Sequence, residues 1–395
     1  NGTRRFDFYV VVIGGGMVGA CCAAHVAREE PLAQWRVAMV EPVAPKPPRD
    51  DSVDLRVSAL SRASQRILRA VGAWDALEDR ACPYSEMVVW DAASTADARD
   101  ALHFSAAETG EPDLGHIVEN LRVQWTLHES RHVRAVTRIG AGLEALEFGP
   151  DAVRLTLSDE RRISCGLVIG ADGGQSRVRE LCGIGRAGWA YGQTAVVAHL
   201  RTERPHRHTA WQRFLPDGPI ALLPLRDGRV SLVSRRVAEA SDHVLGAMEL
   251  DGARAGFPLA LWHAREYVRP RLALVGDAAH TIHPLAGQGV NLGFLDAAAL
   301  VQVLSNAEAS GGEPFGTRAL RRYERWRRSE NALMLGTTDT IKRLFGERSV
   351  PVATARRLGM SLVASQPLLR HVLVERALGL AGDLPVLVTG RPAPA

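Results

Sequence analysis

Short runs of consecutive apolar residues recur along the chain of 395 residues, and each run ends at a glycine or an acidic residue. The runs at 8–13 (FYVVVI), 167–169 (LVI) and 272–275 (LALV) contain no alternating polar positions. Such runs are typical of strands that are buried on both faces, as in a parallel sheet covered by helices. A further run, at 36–40, ends at Glu41. The hydrophobic pattern therefore predicts an α/β fold built on a parallel sheet.

Three glycines follow the first predicted strand in G-x-G-x-x-G spacing, at Gly14, Gly16 and Gly19, and the helical stretch ACCAAHVAREE comes next. In a strand–turn–helix unit this spacing lets a pyrophosphate approach the backbone at the positive end of a helix. Glu41 lies about 20 residues further on, where an acidic residue binds a ribose hydroxyl. The unit predicts a dinucleotide site. An acid at this position repels a 2′-phosphate, so FAD and NAD are both compatible and a tightly held NADPH is disfavoured.

Two more predicted strands end in an Asp beside a Gly, at Asp172-Gly173 and at Gly276-Asp277. Asp and Gly are common in ordinary turns, which is the simpler explanation of each pair. In open α/β sheets, however, ligands bind outside the carboxyl ends of the strands. We therefore expect both acids to converge on the crevice that holds the dinucleotide.

The segment after the last of these strands is unusually poor in side chains. Gly287 and Gly289 permit close approach of the backbone to a ligand, and a helix that begins near Val290 presents unpaired N–H groups. Together they predict a cradle for a planar, partly anionic group such as a flavin ring. The alternative is a glycine loop that only caps a helix.

Histidine and cysteine usage argues against a metal site. His280 and His283 are too few ligands, and the five cysteines are odd in number and include no C-x-x-C pair. The sequence therefore predicts no metal and no disulfide framework, which fits a reducing compartment. His283 is a candidate catalytic residue that handles the proton of a phenol, with a structural role in the turn as the alternative.

Composition narrows the class of protein further. Apolar residues make up 46% and charged residues 23%, and the net charge is only +4. Without a basic block, nucleic-acid binding is not expected. No signal peptide and no apolar run of membrane-spanning length is seen, which predicts a cytoplasmic protein.

The remainder of the chain contains a β-rich region and a helical C-terminal segment. Residues 209–234 read as two or three strands joined by Asp-Gly turns. Beyond 340, leucines and valines recur at helical spacing beside Arg357, Arg370 and Arg376. This segment is either a helical hairpin packed on the nucleotide domain or a basic amphipathic surface for membrane lipid or a partner protein.

The three fingerprints, in this order, resemble those of the flavin-dependent aromatic hydroxylases with one Rossmann domain. Within that class the chain is most similar to the ubiquinone-biosynthesis hydroxylases of the UbiH/UbiI type. The segments that carry the resemblance are DLRVSALSRAS (54–64), GHIVEN (115–120), VIGADGGQSRVR (168–179), GDAAHTIHPLAGQGVNLG (276–293) and RRYERWR (321–327). VVWDA (88–92), ALML (332–335) and the GDLP near the C-terminus favour the UbiI branch.

The resemblance implies a Rossmann-type FAD-binding domain interleaved with a β-rich substrate domain and followed by C-terminal helices. The FAD-binding domain would comprise 1–80, 106–184 and 266–340, the substrate domain 81–105 and 185–265, and the helical segment 341–395. In one place the chain departs from the family pattern. Only about 20 residues separate the strand GRVSLVS from GFPLALWHAREY, so the region 231–256 of the substrate domain is shortened or incompletely represented.

The resemblance also implies roles for individual residues. Glu41 would hold the adenosine ribose, Asp172 with Gly173 would serve both FAD and NADPH, and Asp277 would bind the ribityl chain. The other implied cofactor-binding residues are Arg56 at the start of a helix, Asn120 or Gln124 at the ribityl or phosphate region, and Pro284 and the backbone of Gly287, Gly289, Val290 and Asn291 along the flavin ring. Arg56 could instead form a surface salt bridge, and Asn120 and Gln124 could be helix caps. The expected substrate contacts are Phe214, Leu223 and Pro284.

The activity that the resemblance implies is hydroxylation of the aromatic ring of a polyprenylphenol by a flavin C4a-hydroperoxide. FAD would be the cofactor, NADPH or NADH the transient reductant, and O₂ the co-substrate. Partners would be the lipid substrate, quinone-biosynthesis proteins or the inner membrane as a peripheral contact. The alternatives are another aromatic substrate on the same scaffold and a non-catalytic subunit of a biosynthetic complex. A small aromatic acid would require a cation in the pocket, for which Arg213 is the one candidate.

Overall fold

The computed structural model describes residues 6–49, 52–216, 218–234, 242–282, 289–347 and 349–389. The strands in chain order are β1 (Phe8–Ile13), β2 (Val37–Val40), β3 (Val57–Leu60), β4 (Cys82–Tyr84), β5 (Glu86–Asp91), β6 (Leu102–Ser105), β7 (Gly115–Glu119), β8 (Thr137–Ile139), β9 (Leu143–Phe148), β10 (Val153–Leu157), β11 (Arg162–Gly170), β12 (Arg186–Thr202), β13 (Thr209–Leu215), β14 (Gly218–Pro224), β15 (Val230–Ser234), β16 (Met248–Ala264), β17 (Val268–Arg269), β18 (Leu272–Leu274) and β19 (His280–Thr281).

Helices cover the sheets and form the C-terminal part of the chain. In chain order they are α1 (Met17–Arg28), α2 (Arg62–Ala70), α3 (Asp75–Glu78), α4 (Asn120–Glu129), α5 (Arg131–Arg134), α6 (Arg177–Leu181), α7 (Gly289–Ala309), α8 (Thr317–Gly346), α9 (Val350–Ser365), α10 (Pro367–Ala377) and α11 (Val386–Thr389). Short 3₁₀ turns lie at Leu32–Gln34, Ala106–Glu108 and Gly276–Ala278.

The first sheet has the order β17-β18-β11-β1-β2-β8, with the β9–β10 hairpin added to β11. Its central strands β18, β11, β1, β2 and β8 run parallel. Val10, Val11 and Val12 of β1 are fully buried, as the continuous apolar run requires. The parallel α/β sheet expected from the hydrophobic pattern is confirmed.

The register of this sheet brings the three sequence motifs to one edge. Ile13 at the end of β1 pairs with Gly170 of β11 and with Val40 of β2, and Gly170 pairs in turn with Leu274 of β18. The glycine loop, Glu41 and both Asp-Gly pairs therefore follow strands that end at the same level. This is the carboxyl edge at which an α/β sheet binds its ligand.

α7 lies in the core between other helices. It packs against α1 and α8, and Phe294, Leu300 and Leu304 are fully buried. Gly293 permits the close α1–α7 contact, because a Cβ at this position would lie 2.5 Å from Val18 Cγ2. Among the described helices α7 alone is long and apolar enough to cross a membrane, and 78% of its apolar window is buried inside the protein.

The second sheet has the order β19-β16-β12-β15-β14-β13-β5-β6 and is antiparallel except for the β13–β5 pair. Its longest strands, β12 and β16, pair from Arg186 and Ala264 to Thr202 and Met248. β19 comes directly after the Gly276-Asp277 pair and adds to the edge of this sheet. The second sheet is thus joined to the motif edge of the first. A small third sheet, β3-β7-β4, lies beside them.

The C-terminal helices pack mainly against the strands of the second and third sheets. Met360 of α9 packs with Phe214 and Phe345, whereas Val374 of α10 and Leu378, which follows the helix, pack with Tyr84 and other residues of the third sheet and β14. Of the two alternatives for this segment, the structure shows helices packed on the protein, although mainly on the second and third sheets, and a surface for membrane lipid or a partner protein stays a prediction. The division into an FAD-binding domain, a substrate domain and a helical segment stays a prediction.

Candidate active site

A cleft that is open to solvent at its mouth lies between the motif edge of the first sheet and the face of the second sheet. We call it the main cleft. The motif edge and the helices beside it contribute Gly16, Met17, Val18, Ala171, Gly173, Val275, Asp277, Ile282, Gly289 and Val290 to its lining, and the third sheet region, α4 and β19 contribute Arg56, Val57, Ser58, Asn120 and Thr281. Its lining from the second sheet is Ala195, Val197, Ser231, Val233, Phe257, Pro258 and Ala260.

The three glycines of the fingerprint have different structural roles. Gly14 has φ +102°, and a Cβ there would lie 2.5 Å from the carbonyl oxygen of Ala171. A Cβ on Gly19 would lie 1.9 Å from the Gly14 carbonyl oxygen, so this glycine permits close packing of α1 against β1. Gly16 is different, because a Cβ there would meet no atom within 4 Å. Gly16 precedes α1 and leaves open backbone at the positive end of the helix, as a pyrophosphate requires.

Glu41 and two side chains of α4 fix the peptide of Gly15. The Gly15 N–H donates to Glu41 Oε2 at 2.7 Å. The Gly15 carbonyl accepts from Gln124 Nε2 at 2.9 Å and from His128 Nε2 at 2.7 Å. The expected cofactor residues Glu41 and Gln124 are thus brought to the glycine loop, where they hold the loop in place. His128 was not recognised from the sequence, since a lone histidine on a helix carries no local signal.

The Asp172 loop is tied to the loop that carries Asp277. Asp172 Oδ2 accepts from the Val178 N–H at 3.0 Å at the start of α6, and its buried Oδ1 has no partner among the described residues. Arg179 donates to the carbonyl oxygens of Gly174 and Ala278 at 2.7 Å and 2.8 Å. This buried guanidinium therefore holds the two motif loops at a fixed separation. Gly173, with no atom within 4 Å of a built Cβ, faces the main cleft.

Asp277 presents a carboxylate to the main cleft. Its side chain is exposed to the space of the cleft and surrounded by protein on its other sides, and this burial raises its pKa despite the nearby His280 and Arg56. Within the described part of the chain, no side chain or backbone N–H donates a hydrogen bond to its carboxylate. A carboxylate in this setting can accept hydrogen bonds from the hydroxyl groups of a ligand.

A second carboxylate, Asp296 of α7, lies fully buried beneath the Asp277 loop. It accepts hydrogen bonds from His280 Nε2 at 2.5 Å, from the Gly276 N–H at 3.1 Å and from Arg327 Nε at 2.8 Å. Asn331 Nδ2 donates to it at 3.0 Å. Burial by itself raises the pKa of Asp296, but His280 and Arg327 outweigh it and hold the pKa at about 2. The ionised carboxylate fixes the backbone from which Asp277 projects.

Two other expected cofactor residues line the main cleft from the third sheet and α4. Arg56 does not begin a helix, as the resemblance implied, but directly precedes β3, and its guanidinium lies 5.0 Å from the Phe257 ring centre. The strand forms because Val57–Leu60 pairs with β7, which overrides the helical expectation. Asn120 is the first residue of α4 and accepts a hydrogen bond from the Ser58 hydroxyl at 2.7 Å.

The predicted flavin cradle is described only in part. His283, Pro284 and Gly287 lie outside the described residues. Gly289 and Val290, the first residues of α7, line the main cleft. Asn291 turns its side chain away from it, since its Oδ1 accepts from the Ser61 N–H and the Ser64 hydroxyl and its Nδ2 donates to the Ala59 carbonyl.

The expected substrate residues Phe214 and Leu223 do not line the main cleft. Phe214 is buried against Phe345 of α8, with ring centres 4.2 Å apart, and Leu223 is buried beside the third sheet. The cleft wall is supplied instead by β12, β15 and β16, which the sequence did not single out. Their apolar face includes one polar side chain, Ser231, whose buried hydroxyl has no hydrogen-bond partner among the described residues.

The described residues include no candidate metal centre. Among them, no three His, Cys, Asp or Glu side chains are grouped so that they could hold a metal ion. The described polar groups at the main cleft are instead suited to a nucleotide. Open backbone at Gly16 and Gly173, the Asp277 carboxylate and the apolar wall of the second sheet all line this one cleft. This arrangement fits an FAD molecule whose ring system reaches an enclosed apolar surface, and it defines a flavoprotein.

Comparison with known proteins gives the family. The family model described as FAD binding domain matches residues 7–243 and 231–334, and the chain belongs to this family. The 3-demethoxyubiquinol 3-hydroxylase of Escherichia coli (strain K12) is 35% identical over 395 residues, covering 94% of this chain and 98% of that protein. The ubiquinone hydroxylase UbiL of Rhodospirillum rubrum is 38% identical over 410 residues, covering 97% and 93%.

A solved structure shares the fold. The p-nitrophenol 4-monooxygenase PnpA from Pseudomonas putida DLL-E4 superimposes with a TM-score of 0.74 at 18% identity, over 94% of this chain and 98% of that chain. This likeness confirms the fold class, while the family match and the two relatives confirm the resemblance to the ubiquinone-biosynthesis hydroxylases and the FAD cofactor.

Proposed function

We propose that this protein is an FAD-dependent monooxygenase that uses NAD(P)H and O₂ to hydroxylate the aromatic ring of a polyprenylphenol in ubiquinone biosynthesis. The relatives named above act, by their names, on ubiquinone or its precursors. One structural observation carries the proposal. The main cleft joins a nucleotide-binding edge to a wall of apolar side chains from β12, β15 and β16.

When bound, FAD would supply the redox chemistry, because it accepts hydride from NAD(P)H and activates O₂. The chain's own residues would hold and enclose it. Backbone at Gly16 and Gly173 would approach the pyrophosphate, and Asp277 would accept hydrogen bonds from the ribityl hydroxyls. Val197, Val233 and the other apolar residues of the sheet wall would help to exclude water from the space in which a ring would be hydroxylated.

The composition of the wall favours a neutral phenol over an aromatic acid. Arg213, the residue that could pair with a carboxylate, lies on β13 and donates to the Ala92 carbonyl oxygen at 2.8 Å, outside the main cleft. Among the described lining residues, Arg56 is the one cation, and its guanidinium lies over Phe257. Ser231 lies in this wall and its buried hydroxyl has no hydrogen-bond partner among the described residues, so we infer that it forms a hydrogen bond with the ring hydroxyl of the substrate.

The direct test uses purified, FAD-loaded protein with NADH or NADPH, a short-chain polyprenylphenol and ¹⁸O₂. The expected product carries one ¹⁸O on its ring, identified by mass spectrometry, and its amount matches the NAD(P)H consumed. A colourless protein that takes up no FAD would favour a non-catalytic subunit. NAD(P)H oxidation that yields only H₂O₂ with this phenol but a labelled product with another aromatic compound would favour the other substrate class.

Two finer assignments belong to the same proposal. The segments at 88–92 and 332–335 and the GDLP near the C-terminus suggest that the protein belongs to the UbiI branch. The relatives named above carry the names of other members of the family, so the assignment to the UbiI branch stays a prediction. A polyprenylphenol resides in a membrane, and we infer that the protein works at the cytoplasmic face of the inner membrane and contacts other quinone-biosynthesis proteins there. Deletion of the gene should lead to accumulation of an unhydroxylated polyprenylphenol, and fractionation of the cell should recover part of the protein with membranes.

A further inference from the structure

Two buried polar side chains of the second sheet, His199 on β12 and Ser231 on β15, have hydrogen-bonding atoms that the described chain leaves unsatisfied. Ser231 is fully buried and His199 is 3% exposed. Neither Ser231 Oγ nor His199 Nε2 has a hydrogen-bond partner among the described residues. Most buried polar atoms in folded proteins are hydrogen-bonded, so an unpaired pair of them requires an explanation.

The register of the sheet places these two side chains next to each other on the wall of the main cleft. His199 pairs with Ser231, and two residues away Val197 pairs with Val233. Side chains two residues apart on a strand point to the same face, and Val197, Val233 and Ser231 all line the main cleft. The Cβ atoms of directly paired residues are about 5 Å apart. The imidazole of His199 therefore lies beside Ser231 on the cleft side of the sheet.

Of the residues paired with Ser231 across the strands, His199 is the polar one. On its other side Ser231 pairs with Leu223 of β14, whose side chain cannot form a hydrogen bond. Ser231 lines the main cleft, whereas His199 is not among the lining residues. A ligand in the cleft would therefore reach the imidazole through the serine hydroxyl.

The surroundings of His199 keep its ring neutral at neutral pH. Burial lowers the pKa of His199, and the nearby Arg229 guanidinium lowers it further. The carboxylates of Asp227, Asp54 and Asp251 act in the opposite direction without reversing the shift. Arg229 is itself paired with Asp227 at 2.6 Å and with Asp251 at 3.0 Å. A neutral imidazole has one nitrogen that can accept a proton, so His199 can act as an acceptor.

A serine hydroxyl can relay a proton from a phenol to such an acceptor. It can accept a hydrogen bond from the ring hydroxyl and donate its own proton to the imidazole at the same time. In the transfer the phenol O–H bond breaks, Ser231 takes that proton, and the proton of Ser231 passes to His199 Nε2. The products are a phenolate, an intact serine hydroxyl and an imidazolium, and no electron is transferred. The phenolate oxygen pushes electron density into the ring, which makes the ring a better nucleophile toward an electrophilic oxygen atom.

We propose that His199 is a positioning residue that accepts the phenol proton through Ser231 and so holds the substrate as its phenolate in the main cleft. This proposal rests on the proposed function, because it assumes a phenol as substrate. The bound ring hydroxyl would complete the hydrogen bonds that both side chains lack. From the sequence we expected His283 to handle this proton, and His283 lies outside the described residues.

The first test is the pH dependence of hydroxylation of a water-soluble short-chain prenylphenol, measured in single turnovers of the NAD(P)H-reduced, FAD-loaded protein. The variant is His199→Gln, which keeps a polar side chain but cannot take up a proton at neutral pH. The matched control is His206→Gln. His206 is another buried histidine whose pKa is lowered by burial, but its Nε2 bonds to the Leu225 carbonyl oxygen at 3.0 Å. Urea unfolding verifies that both variants fold.

The native rate and that of His206→Gln should stay level down to about pH 6.5 and fall at lower pH, as His199 takes up a proton. At pH 7, His199→Gln should be slower by about a hundredfold, a typical contribution of a positioned base. Its rate should then rise about tenfold per pH unit, because the phenol loses its proton to water instead. Ser231→Ala should show the same rise, and the double variant should lose no more.

Three results would overturn the proposal. The first is a native profile in His199→Gln. The second is a rate of His199→Gln that is low at every pH, since the role of His199 would then be structural. The third is the rising profile in His283→Gln in place of His199→Gln, which would assign the proton to His283.

A second measurement needs no turnover and separates this proposal from the proposed function. A short-chain prenylphenol with one ring fluorine is bound to the oxidised, FAD-loaded protein, and its ¹⁹F NMR shift is followed in a pH titration. In the native protein and His206→Gln the bound phenol should ionise about two pH units lower than in water, and His199→Gln should abolish this difference. That result in a protein that hydroxylates no phenol would overturn the proposed function alone. Hydroxylation by the native protein, with the phenol equally ionised in both proteins, would overturn the role of His199 alone.

Discussion

Gly16→Ala and Gly19→Ala make the same chemical change within one motif, but we expect them to change different properties. Gly16→Ala should weaken FAD binding, whereas Gly19→Ala should lower the free energy of unfolding. At Gly16 the backbone is extended, with φ −66° and ψ −177°, which any residue can adopt, and an added Cβ meets no atom within 4 Å. At Gly19 an added Cβ would lie 1.9 Å from the Gly14 carbonyl oxygen, closer than any real contact.

The magnitudes follow from these surroundings. Gly16→Ala should leave the flavin-free protein as stable as the native one, or more stable by about 0.4–1 kcal/mol, because alanine restricts the unfolded chain. The new methyl group faces the space that we assign to the pyrophosphate. Loss of one hydrogen bond to a charged phosphate amounts to about 1.5–3 kcal/mol, which corresponds to a roughly ten- to hundredfold weaker Kd for FAD.

Gly19→Ala should act on the fold itself. To remove the overlap, α1 must move away from the end of β1, and overpacking of this kind costs about 1–3 kcal/mol or more. The flavin-free variant should therefore unfold at a lower urea concentration than the native protein.

Two measurements on the same samples separate the effects. Urea unfolding of the flavin-free proteins gives the free energy of unfolding, and titration with FAD, followed by the change in flavin fluorescence, gives Kd. If Gly16→Ala binds FAD as tightly as the native protein, the open backbone at Gly16 is not where the cofactor approaches. Native stability of Gly19→Ala would show that the α1–β1 contact is not as close as the structure has it.

Three further predictions use four single substitutions, the first of them comparing two aspartates. Asp296→Asn should lower the free energy of unfolding, measured with urea, by about 3–5 kcal/mol because it leaves the buried Arg327 charge unpaired. Asp277→Asn, in contrast, should weaken FAD binding in a titration without destabilising the flavin-free protein. Burial, with a smaller contribution from nearby cations, lowers the pKa of His25 to about 3 in the folded protein, below the value of about 6.5 in an unfolded chain. Because the unfolded chain takes up this proton more readily, the folded protein has its full stability above about pH 6.5 and loses about 2 kcal/mol of it near pH 5. His25→Leu should remove that part of the pH dependence in urea unfolding, and an unchanged dependence would contradict the assignment. Ser231→Ala should raise KM for the phenol several-fold at unchanged Kd for FAD, and an unchanged KM would show that the hydroxyl does not bind the ring.

The cofactor edge could be predicted from sequence because its signals are local. A continuous apolar run, such as residues 8–13, requires a strand buried on both faces whatever its neighbours are, and glycines such as Gly16 are tied to the turn that follows it. Because neighbouring parallel strands end at the same edge of a sheet, the motifs that follow them can be expected to lie together. The structure accordingly brings Gly16, Gly173 and Asp277 to one cleft, as expected.

The substrate wall could not be predicted in the same way. Phe214 lies on the buried face of β13, and that face is covered by Phe345, 131 positions further along the chain, which no local pattern reveals. The cleft face belongs to β12, β15 and β16, where apolar side chains such as Val197 look like any core strand. The expectation that Arg56 begins a helix was wrong for a related reason. Pairing of β3 with the distant β7 determines the local structure at Arg56.

Asp277 and Asp296 show how the same side chain serves structure in one place and ligand binding in another. Asp296 is fully buried and receives four hydrogen bonds, two of them from the side chains of His280 and Arg327, so it remains ionised and has no capacity for a ligand. Asp277 receives none from the described residues, and burial raises its pKa, so its ionised form is under-stabilised until donors arrive. The Gly276 N–H donates a hydrogen bond to Asp296. The Asp296 carboxylate, which has all its hydrogen-bond partners, therefore positions the neighbouring carboxylate of Asp277. Because the ribityl hydroxyls would supply the missing donors, FAD binding should lower the pKa of Asp277 and favour its ionised form.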